Sequence, residues 1–437
     1  MNKGTAAQPE EGLRKAKAKN PLKNFLKRLG PGVITGASDD DPSAIATFSQ
    51  SGAQFGFALL WTVLYTYPLK SATQEISARI GRVTGRGLAG NMLRYYSPWI
   101  GITITTLMII ANIINIGADI AAMGSAMKLL IGGPEILYSI LLAGLSLVLQ
   151  VFIPYTKYVR ILKWLSLALF SYMLAAFIID VRWERALLAT LIPEFKWDSK
   201  FLNAVVAVLG ATISPYLFFW QASQETEEVN TKQEEEPLKV APGQASEQIK
   251  RIKIDTYLGM AFSNIIIFFI IVTTAMTLNA KGVNEVSSAA QAAEALRPLA
   301  GRFAFLLFSA GIIGTGMLAI PILGGSSAYA IGELFKWPVG LEQKPFRAVN
   351  FYLVLSVATL IGLALNFTPV NPIEALFWAA TINGLISAPV MIIMMLISSN
   401  RVIMGRFTVS PALKAGGWIS VALMTLAASG LIYSWIK

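Results

Sequence analysis

Apolar runs long enough to cross a bilayer recur along almost the whole of this chain, and no other feature constrains its fold as strongly. A spanning helix needs about 20 mostly apolar residues. Stretches such as "NIIIFFIIVTTAMTL" and "ALMTLAASGLIY" belong to runs of that kind. Of 437 residues, 54% are hydrophobic and 14% charged, whereas a soluble domain carries about 25% charged residues. Eleven spans are predicted, at 31–54, 57–78, 101–127, 136–154, 161–181, 201–223, 254–278, 303–333, 348–366, 373–398 and 415–436. The expected fold class is an all-α polytopic membrane protein, a single transmembrane domain of eleven helices over 29–436.

Basic residues orient such a chain, because cytoplasmic loops retain lysine and arginine. With the N-terminus inside, 26 of the 36 Lys and Arg fall in inside segments and 9 outside, with Lys70 within span 2. This predicts a cytoplasmic N-terminus and an external C-terminus. It also accounts for most of the +11 net charge without nucleic acid. Residues 1–28 are polar and basic, with no short apolar core and cleavage site, and read as a cytoplasmic tail near anionic lipid. The longest polar insert, 224–253, is acidic and reads as a solvated cytoplasmic loop, or else as a weak cation-attracting vestibule. No soluble segment is large enough to be an enzyme. The chain has no cysteine, which excludes disulfides and thiolate metal sites, and no histidine.

Within the first span lies "SDDDPSAIA". One charge at a helix centre costs about 2.5–3.5 kcal/mol, so three ionised, lipid-facing aspartates would cost on the order of 8–10 kcal/mol. A surface turn at Asp39–Asp41 would avoid that cost, but it leaves seven residues on either side, 31–37 and 44–50, too few to span alone. Together the two pieces span, which makes this one helix broken in its middle. Pro42 lacks an amide donor and disfavours helix at the residue before it. Irregular backbone at membrane depth is tolerated only where it is buried in protein or lines a polar cavity. Asp39 and Asp40 then either draw a cation in or cap freed amides.

A second interruption lies in span 6, "VAVLGATISPYLFFWQASQE", at Gly210 and Ser214-Pro215. Broken helices at corresponding positions of two halves point to a transporter's midplane site. Five spans separate the breaks, so the halves have opposite topology: spans 1–5 and 6–10 form an inverted repeat, with span 11 added.

The stretches "GPGVITGASDDDPSAIATFSQSGAQFGFALLW", "ARIGRVTGRGLAGNM" and "GATISPY" resemble the Nramp family of divalent-metal transporters, clearly through spans 1–3 and 6–7 and loosely elsewhere. The resemblance implies a LeuT-type inverted-repeat fold. It also implies a cation site at Asp41 in span 1 and at the backbone carbonyls of Ser38 and Ala211. The departures are specific. The family's Asp-Pro-Gly-Asn is here Asp41, Pro42, Ser43 and Ala44, without the asparagine. Its Met-Pro-His is Ser214, Pro215 and Tyr216. A second histidine position matches Gln221. An acidic position of span 3 used in proton movement matches Ala122, while Asp119 is kept. This pattern is similar to the Nramp-related magnesium transporters.

The chemistry of these residues agrees. Thioether sulfur is a soft ligand that favours transition metals. Without it the donors are oxygen: the Asp41 carboxylate, the Ser214 hydroxyl and freed backbone carbonyls. Mg2+ prefers oxygen, keeps several waters and uses few protein ligands. A partly hydrated Mg2+ is the expected cargo, with Mn2+ also accepted. Asn264 and Asn383 are candidates for indirect contacts through water, and Asp119 for the pathway. Without histidine, the natural titrating group near neutral pH, transport is expected to be uncoupled from protons. A proton-coupled Mn2+/Fe2+ transporter and a cation channel are the alternatives, and the paired breaks favour alternating access over a channel. No cofactor and no obligate protein partner are implied, and a monomer in a prokaryotic cell membrane is expected. Lys70 in span 2 is expected to snorkel or to pair with Glu75.

Overall fold

The computed structural model describes residues 35–36, 38–154, 157–158, 167–232 and 234–436. The basic tail, residues 31–34 and 37 of span 1 and the start of span 5 (161–166) lie outside them. Among the described residues there is no strand. Helix α1 is Pro42–Phe55, α2 Leu60–Thr84, α3 Leu88–Tyr95, α4 Pro98–Ile131 and α5 Glu135–Phe152. Then follow α6 Phe170–Ile178, α7 Trp183–Leu191, α8 Ser199–Thr212 and α9 Pro215–Thr231. The remainder holds α10 Ala245–Thr277, α11 Ala289–Glu294, α12 Ala304–Phe335, α13 Val349–Leu365, α14 Pro372–Ser399 and α15 Pro411–Ile436. Seven helical stretches among the described residues are long and apolar enough to cross a membrane by themselves. Span 2 (α2) falls outside that set because it carries Lys70, Gln74, Glu75, Arg79 and Arg82.

Several helices start at a polar residue followed by proline. Asp41-Pro42 opens α1, Ser214-Pro215 opens α9 and Asn371-Pro372 opens α14. Proline at the first helical position gives up no bond, because that amide has no partner within the helix. The residue before it is held extended, as Asp41 is at φ −69°, ψ 170°. Large exposed side chains on the outer helices are apolar, among them Leu141 and Val148 of α5, Leu353 of α13 and Leu426 of α15. That is the surface a lipid environment requires.

The packing carries the inverted repeat. Exchanging spans 1 with 6, 2 with 7 and 3 with 8 turns the α1–α10 contact into the α9–α2 contact, and both are extensive. The same exchange maps α4–α12 and α2–α10 onto themselves, and these too are major interfaces. Short helices α3 and α11 occupy the same place in the order of the two halves, after spans 2 and 7. Close approach at the breaks needs glycine. A Cβ on Gly210 would lie 2.1 Å from the Ala380 carbonyl and 2.4 Å from the Gly384 amide of α14.

The stretch between α9 and α10 departs from a solvated loop. Helix α9 runs to Thr231 and α10 begins at Ala245, so much of 224–253 is helical. The segment between is docked on the end of α2, where Leu238 and Lys239 amides donate to the Arg82 and Val83 carbonyls at 3.2 Å each. Leu238 is fully buried. Its acidic neighbours are held by cations: Arg82 pairs with Glu235 at 2.6 Å, and Arg251 with Glu225 at 2.5 Å and Glu228 at 3.1 Å.

Candidate functional site

Both expected breaks are present, three residues wide in span 1 (Asp39 to Asp41) and two in span 6 (Ile213 and Ser214). In span 1 the Asp39 amide closes a helical turn on the Thr35 carbonyl at 3.1 Å, and helix resumes where the Ile45 amide meets the Asp41 carbonyl oxygen at 3.0 Å. In span 6 the Ile213 amide closes α8 on Leu209 at 2.8 Å, Ser214 is extended, and α9 follows. From this irregular backbone Asp39 and Asp40 both reach Ser263, whereas Asp41 reaches Asn115 and Tyr216. All three are buried.

Asp41 is the residue where the two breaks meet. Its Oδ1 accepts from the Ser43 hydroxyl at 2.6 Å and from the Ala44 amide at 2.8 Å, which caps α1. Its Oδ2 accepts from Asn115 of α4 and from the Tyr216 hydroxyl of α9, each at 3.1 Å. The Tyr216 hydroxyl also lies 3.4 Å from the Ser38 carbonyl. One phenol thus bridges the two span-1 groups that the sequence marks as cation ligands. Asp119 of α4 is buried beside Asp41 and the Ser43 amide.

Other expected ligands are turned to local use. The Ser214 hydroxyl donates back to the Gly210 carbonyl at 2.8 Å and to Ala211 at 3.3 Å, so it satisfies the carbonyls that end α8. Ile213, at the same break, has its carbonyl held by Ser387 of α14 at 2.6 Å. Asn383, one turn before Ser387, is buried, and its side-chain oxygen meets no partner among the described residues. Gln221 lies further along α9. Its Oε1 accepts from Thr35 at 2.5 Å and lies 3.4 Å from Gln74. Asn264 donates to the Val63 carbonyl and lines a cavity with Tyr67 and Phe268, so it is not brought to Asp41. Pro42 and Pro215 start their helices as expected.

Asp39 and Asp40 form a second cluster. Lys70 of α2 lies 2.9 Å from Asp39 Oδ2 and 3.1 Å from Ser263 of α10. The Ser263 hydroxyl lies 2.8 Å from Asp39 and 3.1 Å from Asp40. This corrects the expected Lys70–Glu75 pair: Glu75 is taken by Arg79 one turn along the same helix. The helix places Lys70 toward span 1, and a buried ammonium must find the carboxylate within reach. Asn115, Ser263 and Thr35 are contacts that the sequence did not assign to these carboxylates or to Gln221. A lone polar residue in an apolar run shows only that it has a partner, not which one.

Access differs on the two sides of the breaks. A cavity of about 300 Å³ runs along α1 from Gln54 through Gln50 to Ala46, flanked by Asn203, Glu285 and Glu374. On the far side Gln74, Ser77 and Gln221 are buried, and the α9–α10 segment is docked on the end of α2. Among the described residues no group of three or more carboxylates is close enough to hold a metal between them. The arrangement offers one well-oriented carboxylate with neutral oxygen donors around it.

Comparison with known proteins gives these features a lineage. A divalent metal cation transporter MntH of Verminephrobacter eiseniae is 27% identical over 374 residues, covering 81% of each chain. Another of that name, from Aeromonas hydrophila, is 24% identical over 419 residues, 92% of this chain and 95% of the relative. The Eremococcus coleocola manganese transporter, in complex with an aromatic bis-isothiourea compound, superposes with a TM-score of 0.72 at 18% identity. The match covers 96% of this chain and 88% of that one, and shows a shared fold, of the LeuT type. The family model "Natural resistance-associated macrophage protein-like" matches residues 32–434, and this multi-pass membrane protein therefore belongs to the Nramp family.

Proposed function

We propose that this chain carries divalent cations across the membrane by alternating access, with partly hydrated Mg2+ as its main cargo, Mn2+ also accepted, and no coupled proton. The observation that carries this reading is the surrounding of Asp41. It sits where both broken helices meet, and the side chains in hydrogen-bond contact with it offer oxygen and amide groups from Ser43, Asn115 and Tyr216. A soft ligand that would favour transition metals is replaced by Ser214, and the small Ala44 leaves room for retained water. The relatives named as divalent metal transporters support the cargo's charge, and the altered donors support the choice among divalent ions.

In this reading an ion enters through the cavity above Ala46 and displaces the Tyr216 and Asn115 donors from Asp41 Oδ2. It takes up Asp41 with the Ser38 and Ala211 carbonyls, then leaves on the far side when the α9–α10 closure opens. The chain lacks histidine, so no side chain in it titrates near neutral pH without being strongly perturbed. Two charges moving inward gain about 4.6 kcal/mol per 100 mV, enough to drive uptake alone. The basic-residue bias supports a cytoplasmic N-terminus in a prokaryotic cell membrane.

Reconstitution tests the reading. Proteoliposomes holding a Mg2+ indicator should show influx that grows with inside-negative potential, and a parallel set holding a pH indicator should stay flat. Obligatory proton entry with the metal would replace this reading with a proton-coupled one, and absence of Mg2+ entry would sink it. Asp41→Ala should abolish influx.

A further inference from the structure

The cluster on the other side of the break contains its own cation. The Lys70 ammonium contacts Asp39 Oδ2 at 2.9 Å and Ser263 Oγ at 3.1 Å, and Ser263 bridges to both Asp39 and Asp40. All four residues are buried. Asp39 Oδ1 and Asp40 Oδ2 meet no further partner among the described residues, so the cluster holds one ammonium against two carboxylates. Its donors come from the broken span 1 and from α2 and α10, helices exchanged with each other by the inverted repeat. Carboxylate and hydroxyl oxygens about 3 Å from a nitrogen cation are contacts that a free ammonium ion would also make.

We propose that Lys70 is a tethered monovalent cation: its ammonium fills a cation-sized site made by Asp39 and Ser263, and thereby holds the span-1 break in the shape that presents Asp41. Lys70 is then a positioning residue. It removes any need for a free monovalent ion to accompany the cargo, because that charge is already covalently in place. Asp40, which shares Ser263 but lacks the direct ammonium contact, remains to attract the divalent ion. The inference deepens the transport reading and rests on it for flux measurements, while its stability measurement stands alone.

Chemical rescue tests it. Lys70→Ala should be purified and reconstituted in N-methyl-D-glucamine chloride, then compared with ammonium, methylammonium, potassium and sodium chlorides at equal ionic strength. In the bulky cation, thermal stability should fall and divalent flux should drop about tenfold or more, as expected when a buried carboxylate loses its partner. A small monovalent cation, ammonium best, should restore both in a saturable way, while the unaltered protein should ignore the change of salt. Equal behaviour of Lys70→Ala in all salts overturns the proposal. Should Lys70→Ala fail to fold in any salt, Asp39→Asn/Lys70→Ala decides. A folded double variant indifferent to ammonium supports the pairing, and one as defective as the single variant overturns it. A salt-dependent melting point in Lys70→Ala, with no Mg2+ transport by the unaltered protein, would leave this inference standing and remove only the transport reading.

Discussion

Tyr216 occupies the position where a residue choice changes the chemistry of the break most directly. Its hydroxyl donates to Asp41 Oδ2 at 3.1 Å, so a cation approaching that oxygen competes with a hydrogen bond to a carboxylate, a contact of about 1.5–3 kcal/mol. Tyr216→Phe removes the competitor, and the half-saturating divalent concentration in proteoliposome flux should fall about tenfold or more. An unchanged or raised value would show that the phenol assists binding instead. Ser214 sets the other half of the selectivity. Replacing it by methionine, Ser214→Met, adds a thioether next to the Ala211 carbonyl and should shift competition between Mn2+ and Mg2+ toward Mn2+. A selectivity ratio that does not move would detach Ser214 from the ion. These roles were partly legible in the sequence: the Asp-Pro and Ser-Pro steps marked both breaks. Residue type alone could not show that Ser214 would spend its hydroxyl on Gly210 and Ala211, because that depends on the backbone turn.

At the scale of elements, the α9–α10 segment behaves as a strap. Polar composition predicted a solvated loop, and the sequence contains no local sign that Leu238 would be buried against α2. The signal lay elsewhere, in Arg82, a cation with no complementary charge nearby in its own helix once Arg79 has taken Glu75. Glu235 is the strap's titratable anchor. Partial burial alone would raise its pKa, but hydrogen bonds and charge from Arg82 and Lys232 outweigh that and hold it below its ordinary value of 4.5. A carboxyl with a lowered folded pKa adds stability above its unfolded value and loses it as pH falls through the folded one. Docking of the strap should therefore be intact at neutral pH and weaken in acid below the ordinary carboxylate range. Hydrogen exchange at the Leu238 and Lys239 amides, corrected for intrinsic rates, should show that opening. Glu235→Gln should open the strap at neutral pH and flatten the dependence; the same acid response in that variant would exclude Glu235 as its source. Interfaces at the breaks are less forgiving. Gly210→Ala drives a methyl into the Ala380 carbonyl and should cost about 1–3 kcal/mol of stability, read as a lowered melting temperature.

For the whole molecule, the apolar runs and the five-span offset between breaks made the inverted repeat legible, since both follow from bilayer thickness and backbone satisfaction. Which end of the bundle stands open was not legible, because it depends on tertiary closure and not on composition. The structure has a cavity reaching Ala46 from the end that carries Gln54, Glu285 and Glu374, while toward the opposite end Gln74, Ser77 and Gln221 are buried and the strap is docked on α2. Alternating access requires that this asymmetry reverse during transport. The chain contains no cysteine, so single cysteines report without background. Ala46→Cys and Gln50→Cys should react with a membrane-impermeant thiol reagent added from one face only, and Ser223→Cys, buried in α9, should be protected from both. Saturating Mg2+ should change the two rates in opposite directions: slower at position 46 as the cavity closes, faster at position 223 as the strap lifts. The face from which position 46 reacts also fixes orientation, since the positive-inside bias puts that cavity outside the cell. Parallel changes at both positions would favour a channel-like pore, open to both sides at once, over a carrier with a single moving barrier.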